Sequence, residues 1–377
     1  FPIMPDLMDR VGAGSAAEGA LWGGIMMSAY AAAMFIFGPI VGSLSDTYGR
    51  RPILIAALAT LAIDYLIMAL AETYWVLLTG RVIAGMAGAT YITATAYISD
   101  ITKPEERGPA FGMIGAAFGI GFVFGPAIGG ISSGWHVTAP FWIAAALSII
   151  NMVFGFFILP ESLKEENRRP FGKRDLNPFA TIFRAFFIPG LAIPLICIFV
   201  FEFANMVYPS LWAFWGREVF GWNGFTIGLT LSAYGILIAL VQAGLMPQIT
   251  KRIGEYKTLI IASIAAVIGL VGFGFSNAAW AVAIVLPFAA LSDMAPPLLT
   301  AFAANSVGDD QQGLVQGVIA SLSSVAAVAA PLILTGVFER FVNDQGLYFP
   351  GAPFLIAALL TIMIIPLIKR LDPRKSP

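Results

Sequence analysis

The sequence predicts an all-α membrane protein made of two six-helix halves related as parallel repeats, with most of the first helix falling before Phe1. Three observations carry this. Of 377 residues, 58% are hydrophobic and 11% charged, against about one-quarter charged in a soluble domain. Apolar runs long enough to cross roughly 30 Å of hydrocarbon recur along the chain. Sliding the sequence by 205 residues lays Gly49 on Gly254, Gly108 on Gly313, Gly112 on Gly317 and Pro126 on Pro331, pairs of backbone-special residues in corresponding runs or loops of the two halves.

The elements follow in order. The chain opens without Met on "FPIMPDLM", which reads as the outer end of a helix entering a polar loop and lacks the basic start of a secretory leader. Spans are expected at about 23–45, 52–71, 74–97, 110–132 and 139–159, giving a first bundle over residues 1–159. The polar, Pro-bearing "ESLKEENRRPFGKRDLNPF" reads as a linker over 160–187. A second bundle over 188–377 holds spans at about 188–212, 224–248, 256–275, 279–303, 313–337 and 350–368. The second half begins near Pro189, so the repeat starts the first about 17 residues before Phe1.

Lys and Arg set the orientation. Alternate loops hold Arg50 and Arg51; Lys103 and Arg107; Lys164, Arg168, Arg169, Lys173, Arg174 and Arg184; Lys251, Arg252 and Lys257; and Lys369, Arg370, Arg374 and Lys375. The opposite side has Arg10, Arg217 and Arg340. Those basic loops, the linker and both termini of the full-length protein are therefore expected in the cytoplasm. The net charge of -1 argues against nucleic acid as a partner. The single Cys197 and single His136 exclude a disulfide framework and lack a neighbour for a metal site. No Ser, His and Asp set, phosphate loop or HExxH supports an enzyme.

The loop "GSLSDTYGRRPIL" resembles the signature of the major facilitator superfamily, matching it at Gly42, Leu44, Asp46, Gly49, Arg50 and Arg51. The chemistry suits the match: Gly42 allows close helix approach, Asp46 can lie against a helix N-terminus, and Gly49 permits a left-handed turn. Arg50 can hold Asp46 or Asp100, forming a latch between halves. "LLTGRVIAGMAGA" resembles the family's fourth-helix motif with its buried Arg, here Arg81. "GFVFGPAIGG" resembles the fifth-helix antiporter pattern, with Gly121, Gly125, Pro126, Gly129 and Gly130 in register. Gly121 and Gly125 share a helical face suited to tight packing, and Pro126 bends the span.

The resemblance is nearest to the tetracycline efflux branch of the drug:proton antiporters. It implies a major facilitator fold in a bacterial inner membrane and a monomer. It also implies export of hydrophobic small molecules or drugs in exchange for protons, with no cofactor beyond the proton gradient; a symporter or facilitator for a small organic solute is the alternative. Members of that branch carry a His in the eighth helix and an acid in the ninth, and both are missing from the corresponding spans here. The substrate is accordingly left open.

Charges inside the bilayer cost about 2.5 to 3.5 kcal/mol each on insertion scales, so each needs a reason. They are Asp64, Arg81, Glu202 and Asp293. The fold implied by the resemblance puts Arg81, Glu202 and Asp293 on cavity-lining helices and Asp64 outside that ring. Asp64 and Arg81 lie equally far from the turn near Glu72 and Thr73, at a shared depth of roughly 12 Å, so they either pair or serve separate water and substrate paths. Glu202 and Asp293 fall near mid-bilayer, where burial disfavours the charged form of a carboxyl, a property that proton coupling needs; the other reading is a plain hydrogen bond to a neighbour such as Asn205. Tyr91, Phe201 and Tyr208 are candidates for an aromatic cavity wall. Trp212 and Trp215 suit an interfacial belt better.

This topology makes a labelling prediction. With Cys197 replaced by Ser, a single Cys at Ser162 and one at Ser376 should both stay unlabelled by membrane-impermeant thiol reagents in intact cells, and both should react once the membrane is permeabilised. Labelling of either from outside would refute the orientation.

Overall fold

The computed structural model describes residues 2–88, 90–103, 106–168, 188, 190–308, 311–343 and 347–371. Linker residues 169–187, the tail from residue 372 onward with Ser376, and the side chains of Tyr91 and Arg107 lie outside the described residues. A short α1 (Met4–Arg10) is followed by α2 (Ala16–Tyr48), α3 (Arg50–Leu70), α4 (Tyr74–Ala87), α5 (Thr90–Ile101), α6 (Arg107–Ser133) and α7 (Ala139–Ile158). The second half holds α8 (Ala192–Asn205), α9 (Val207–Phe220), α10 (Gly224–Leu240), a π-helical turn (Val241–Leu245), α11 (Met246–Ile253), α12 (Glu255–Phe275), α13 (Ala279–Ser292), α14 (Ala295–Ala304), α15 (Gln312–Asn343) and α16 (Ala352–Ile368). Ten helical stretches are long and apolar enough to cross a membrane, and the shorter apolar α4 continues into α5. These account for every span expected from the sequence.

Among the described residues, three of the interrupted spans break beside a proline. Pro209 follows the α8/α9 break, Pro247 follows the π-turn, and Pro296 and Pro297 follow the α13/α14 break. A proline offers no N–H and crowds the carbonyl four residues earlier.

The halves meet through small residues. On α2, a Cβ at Gly24 would strike the Thr335 side chain and the Pro331 carbonyl of α15. On α6, a Cβ at Gly130 would come within 2.7 Å of the Gly224 carbonyl oxygen, and one at Gly228 would strike the Pro126 carbonyl. Backbone therefore rests on backbone there, as small residues permit. Gly121 and Gly125 do not contribute: both are exposed, and a Cβ at either would meet nothing within 4 Å. The tight face expected of them belongs instead to Pro126 and Gly130, a half-turn round the helix.

Contacts between halves gather toward one end, the one poor in Lys and Arg. There the Phe214 ring of α9 lies over Gly19 and Gly23 of α2. Arg217 Nη2 is 2.6 Å from Asp9 and Nη1 is 3.3 Å from Asp6. Ser232 Oγ donates to the Val123 carbonyl at 2.7 Å. Toward the basic end, a Cβ at Gly112, Gly115, Gly119, Gly244 or Gly317 would meet nothing within 4 Å.

One buried apolar cluster crosses both halves, joining Leu7, Met8 and Leu77 to Trp212, Trp215, Phe273 and Phe354. A second lies within the later half around Leu195, Cys197, Phe201, Leu259 and Leu298. Trp212 and Trp215 thus form part of the core, not an interfacial belt: they are 4% and 1% exposed, and Trp212 Nε1 donates to Thr230 Oγ1 at 2.9 Å. Edge-on stacking against Phe273 and that internal hydroxyl acceptor leave neither ring a reason to seek the headgroups.

Gly130→Ala and Gly228→Ala should each destabilise the protein by about 1 to 3 kcal/mol through overpacking. Gly121→Ala and Gly125→Ala should be neutral. Apparent melting temperatures of the purified variants in detergent check both halves of this contrast.

Candidate functional site

The signature loop is built on a glycine hinge. Gly49 has φ +103° and serves both as the end of α2 and the start of α3; a Cβ there would strike the Glu161 carboxylate. Arg50 pairs with Asp46 one turn back on α2, with Asp100 on α5 at 3.3 Å, and with Ser45 Oγ at 2.6 Å. Ser162 Oγ donates to the same Asp100 oxygen at 3.0 Å. Glu161 accepts from the backbone N–H groups of Arg50 at 2.8 Å and Arg51 at 3.2 Å, which otherwise lack partners in the first turn of α3. Arg51 donates to the Phe156 carbonyl at 2.6 Å and lies over that ring. Burial pushes the Glu161 carboxyl up, but the N–H groups of Leu163, Arg50, Arg51 and Ser162 together hold it below its usual range.

The cluster differs from expectation in two respects. The carboxylate at the α3 N-terminus is Glu161's, while Asp46 pairs with Arg50. Every partner shown for Arg50 and Arg51 lies in the first half, so the latch here ties α2, α3, α5 and the end of α7 together rather than joining the halves.

Asp64 of α3 forms an ion pair with Arg81 of α4, as their shared depth suggested. Asp64 is fully buried, and Arg81 is mostly buried with its guanidinium over the Tyr30 ring, 5.7 Å from its centroid. Gly80 makes room: a Cβ there would stand 3.2 Å from Asp64 Oδ1.

In the second half, Asp293 sits between α13 and α14. Its Oδ2 accepts from the Tyr234 hydroxyl of α10 at 2.6 Å, and its backbone carbonyl accepts from Gln242 Nε2 at 3.2 Å. Glu202, in the last turn of α8, is near enough to Asp293 to interact electrostatically. No hydrogen bond of the Glu202 carboxylate occurs among the described residues, with Asn205 or otherwise. The rings of Tyr208 and Tyr234 are 6.1 Å apart, and the buried Tyr208 hydroxyl has no partner among the described residues.

A Major Facilitator Superfamily model matches residues 1–331. The chain belongs to the major facilitator superfamily. It is 35% identical over 371 residues to the class C tetracycline resistance protein of Escherichia coli, covering 98% of this chain and 92% of that protein. To multidrug resistance protein 2 of Bacillus subtilis it is 28% identical, covering 96% and 88%. The crystal structure of the human organic anion transporter MFSD10 superposes with a TM-score of 0.71 at 22% identity, covering 97% of this chain and 94% of that one.

Within this major facilitator fold the structure brings Gly42, Asp46, Gly49, Arg50, Arg51 and Asp100 to one end of the first half, joins Asp64 to Arg81, and places Glu202, Asp293 and Tyr208 together in the second half. Phe201 does not join them. It is 2% exposed and packed in the second-half core, because its ring points away from the face that carries Glu202. Cys197 is buried and free, and His136 Nδ1 contacts Thr138 Oγ1 at 2.9 Å near the start of α7, both structural settings. Sequence reading missed Glu161, Tyr234 and Gln242. Glu161 follows Pro160 directly after an apolar span, a weak signal for a helix-end acceptor.

Removing one member of a buried pair strands the other at about 3 to 5 kcal/mol. Asp64→Asn and Arg81→Gln should each lower the amount of folded protein in membranes, and the double variant should recover part of that loss. Quantified immunoblots of membrane fractions decide it, with strictly additive losses counting against the pair.

Proposed function

We propose that this superfamily member is a secondary transporter of a bacterial inner membrane, a monomer with its basic loops in the cytoplasm. It exports hydrophobic small molecules, tetracycline-like or of the broader multidrug kind, in exchange for protons. The observation that carries this reading is the pair of membrane carboxylates Glu202 and Asp293, set near each other with aromatic hydroxyls around them. Arg81, the basic residue inside the membrane in the first half, is already held by Asp64. The second-half site therefore offers negative charge and aromatic faces, suited to an apolar molecule bearing a positive group. Protonation of the carboxylates removes that attraction, so proton and cargo compete for one site. Such competition is sufficient for exchange.

The distribution of Lys and Arg turns the basic loops toward the cytoplasm, the side from which an exporter collects cargo. Kinship with tetracycline and multidrug resistance proteins supports the cargo class. Energy comes from the proton gradient, without a cofactor and without enzymatic chemistry.

Glu202→Gln and Asp293→Asn should each abolish efflux of tetracycline or ethidium driven by a pH gradient in vesicles, while gradient-free counterflow of the same compound persists with a raised KM, since the cargo loses part of its attraction together with the proton-linked step. Driven efflux that survives both changes would refute this mechanism. Cargo moving with the protons rather than against them would identify a symporter.

A further inference from the structure

Asp293 lies where its span breaks, and the cause is local. In a regular helix the N–H of residue 297 bonds to the carbonyl of residue 293, and that of 296 to 292. Pro296 and Pro297 have no N–H to give, and their rings crowd those carbonyls. The span stops at Ser292 and resumes at Ala295. A backbone carbonyl freed inside a bilayer needs another donor. Gln242 supplies it to Asp293, Nε2 to carbonyl oxygen, at 3.2 Å.

The same helical span also holds the Asp293 side chain, through the Tyr234 hydroxyl at 2.6 Å. Residues eight apart on a regular helix point about 80° away from each other, at 100° per residue, which is poor geometry for gripping one partner. Gln242 lies inside the Val241–Leu245 turn, which is wound as a π-helix and rotates less per residue than a regular helix, and from there its side chain reaches the Asp293 carbonyl. Pro247 explains the wide turn, since it has no N–H for the Ala243 carbonyl and would crowd it in a tighter one. Three prolines and one glutamine, on two spans, thus converge on one aspartate.

We propose that Tyr234 and Gln242 are positioning residues for proton exchange, clamping Asp293 by its carboxyl and by its backbone at once. The proposal rests on the reading of Asp293 as the proton-coupling group. A hydroxyl donating to a carboxylate favours the charged form, so Tyr234 sets the proton concentration at which Asp293 loads. Gln242 keeps the loading point fixed at a break that would otherwise have a free carbonyl. The titratable groups facing Asp293 are Tyr234 on α10, Tyr208 on α9 and Glu202 on α8; α12 and α15 carry no charged residue in their middle turns.

The test uses vesicles from cells expressing the gene, with tetracycline and ethidium as probes. Driven efflux is titrated against proton concentration, and counterflow is measured in parallel. Tyr234→Phe should lower the half-maximal proton concentration about tenfold, the effect of one charge-assisted hydrogen bond, and should raise the apparent KM for the probe over the same range, since proton and cargo compete. Gln242→Met, similar in shape but without a donor, should reduce driven efflux at least fivefold and spare counterflow. Adding Pro297→Ala, which restores an N–H for the same carbonyl, should recover driven efflux or, if Gln242→Met fails to accumulate, recover its abundance. Loss of driven efflux in Asp293→Asn, with Tyr234→Phe and Gln242→Met both behaving as the parent, overturns the clamp and leaves the proton-coupling reading standing. Failure of Pro297→Ala to rescue overturns the role given to Gln242. Driven efflux that persists in Asp293→Asn, or a parent that drives neither probe, removes the proton-coupling reading and the clamp with it.

Discussion

A polar group inside a bilayer has no water to bond with, so it is satisfied by protein or not at all. Much of this structure follows from that constraint. Hydroxyls along the spans bond back to their own helices, as Ser263 does to Leu259 and Thr361 to Ala357. The buried Asp64 is met by Arg81. Where prolines interrupt the span at Asp293, a side chain from a neighbouring span takes over. At the membrane edge the constraint relaxes, and there Glu161 caps α3 with two backbone N–H bonds that a helix start would otherwise give to solvent.

Backbone and small residues let helices approach closely both within a half, as at Gly85 against Tyr30, and between halves, as at Gly130. Hydrophobic attraction does little between helices already in lipid, so close van der Waals approach has to replace it. Gly24 against α15 and Gly130 against Gly224 are that kind of contact. The signature cluster is of another kind, a set of charge-assisted bonds among α2, α3, α5 and the end of α7.

The sequence made the spans, their number and the position of each membrane charge legible, because these depend on hydropathy along a few turns. Depth counted from a turn also put Asp64 beside Arg81, and the motif named the partners of Arg50. What escaped depends on which face of a helix meets which neighbour. Gly121 and Gly130 belong to one motif, yet only the latter touches the other half. Trp212, Trp215 and Phe201 carry the composition of a belt or a cavity wall and are packed in cores instead. Glu161 reaches Arg50 from 111 positions away, and Arg217 reaches Asp9 across 208, separations over which no local pattern runs. The helix breaks were written in plain prolines; what the sequence hid was the donor that answers them.

Where Pro126 and Gly130 rest on Gly224 and Gly228, there are no interlocked side chains to withdraw before one helix shifts against the other. Such a surface behaves as a bearing: neighbouring positions offer nearly the same dispersion contact, so rolling across it meets little resistance. The tighter grip lies toward the end poor in Lys and Arg, where the Phe214 ring is seated on two glycines and the Arg217 guanidinium lies between Asp6 and Asp9. A tilt of one bundle against the other would have to break those few side-chain contacts, while the glycine seam would only have to slide.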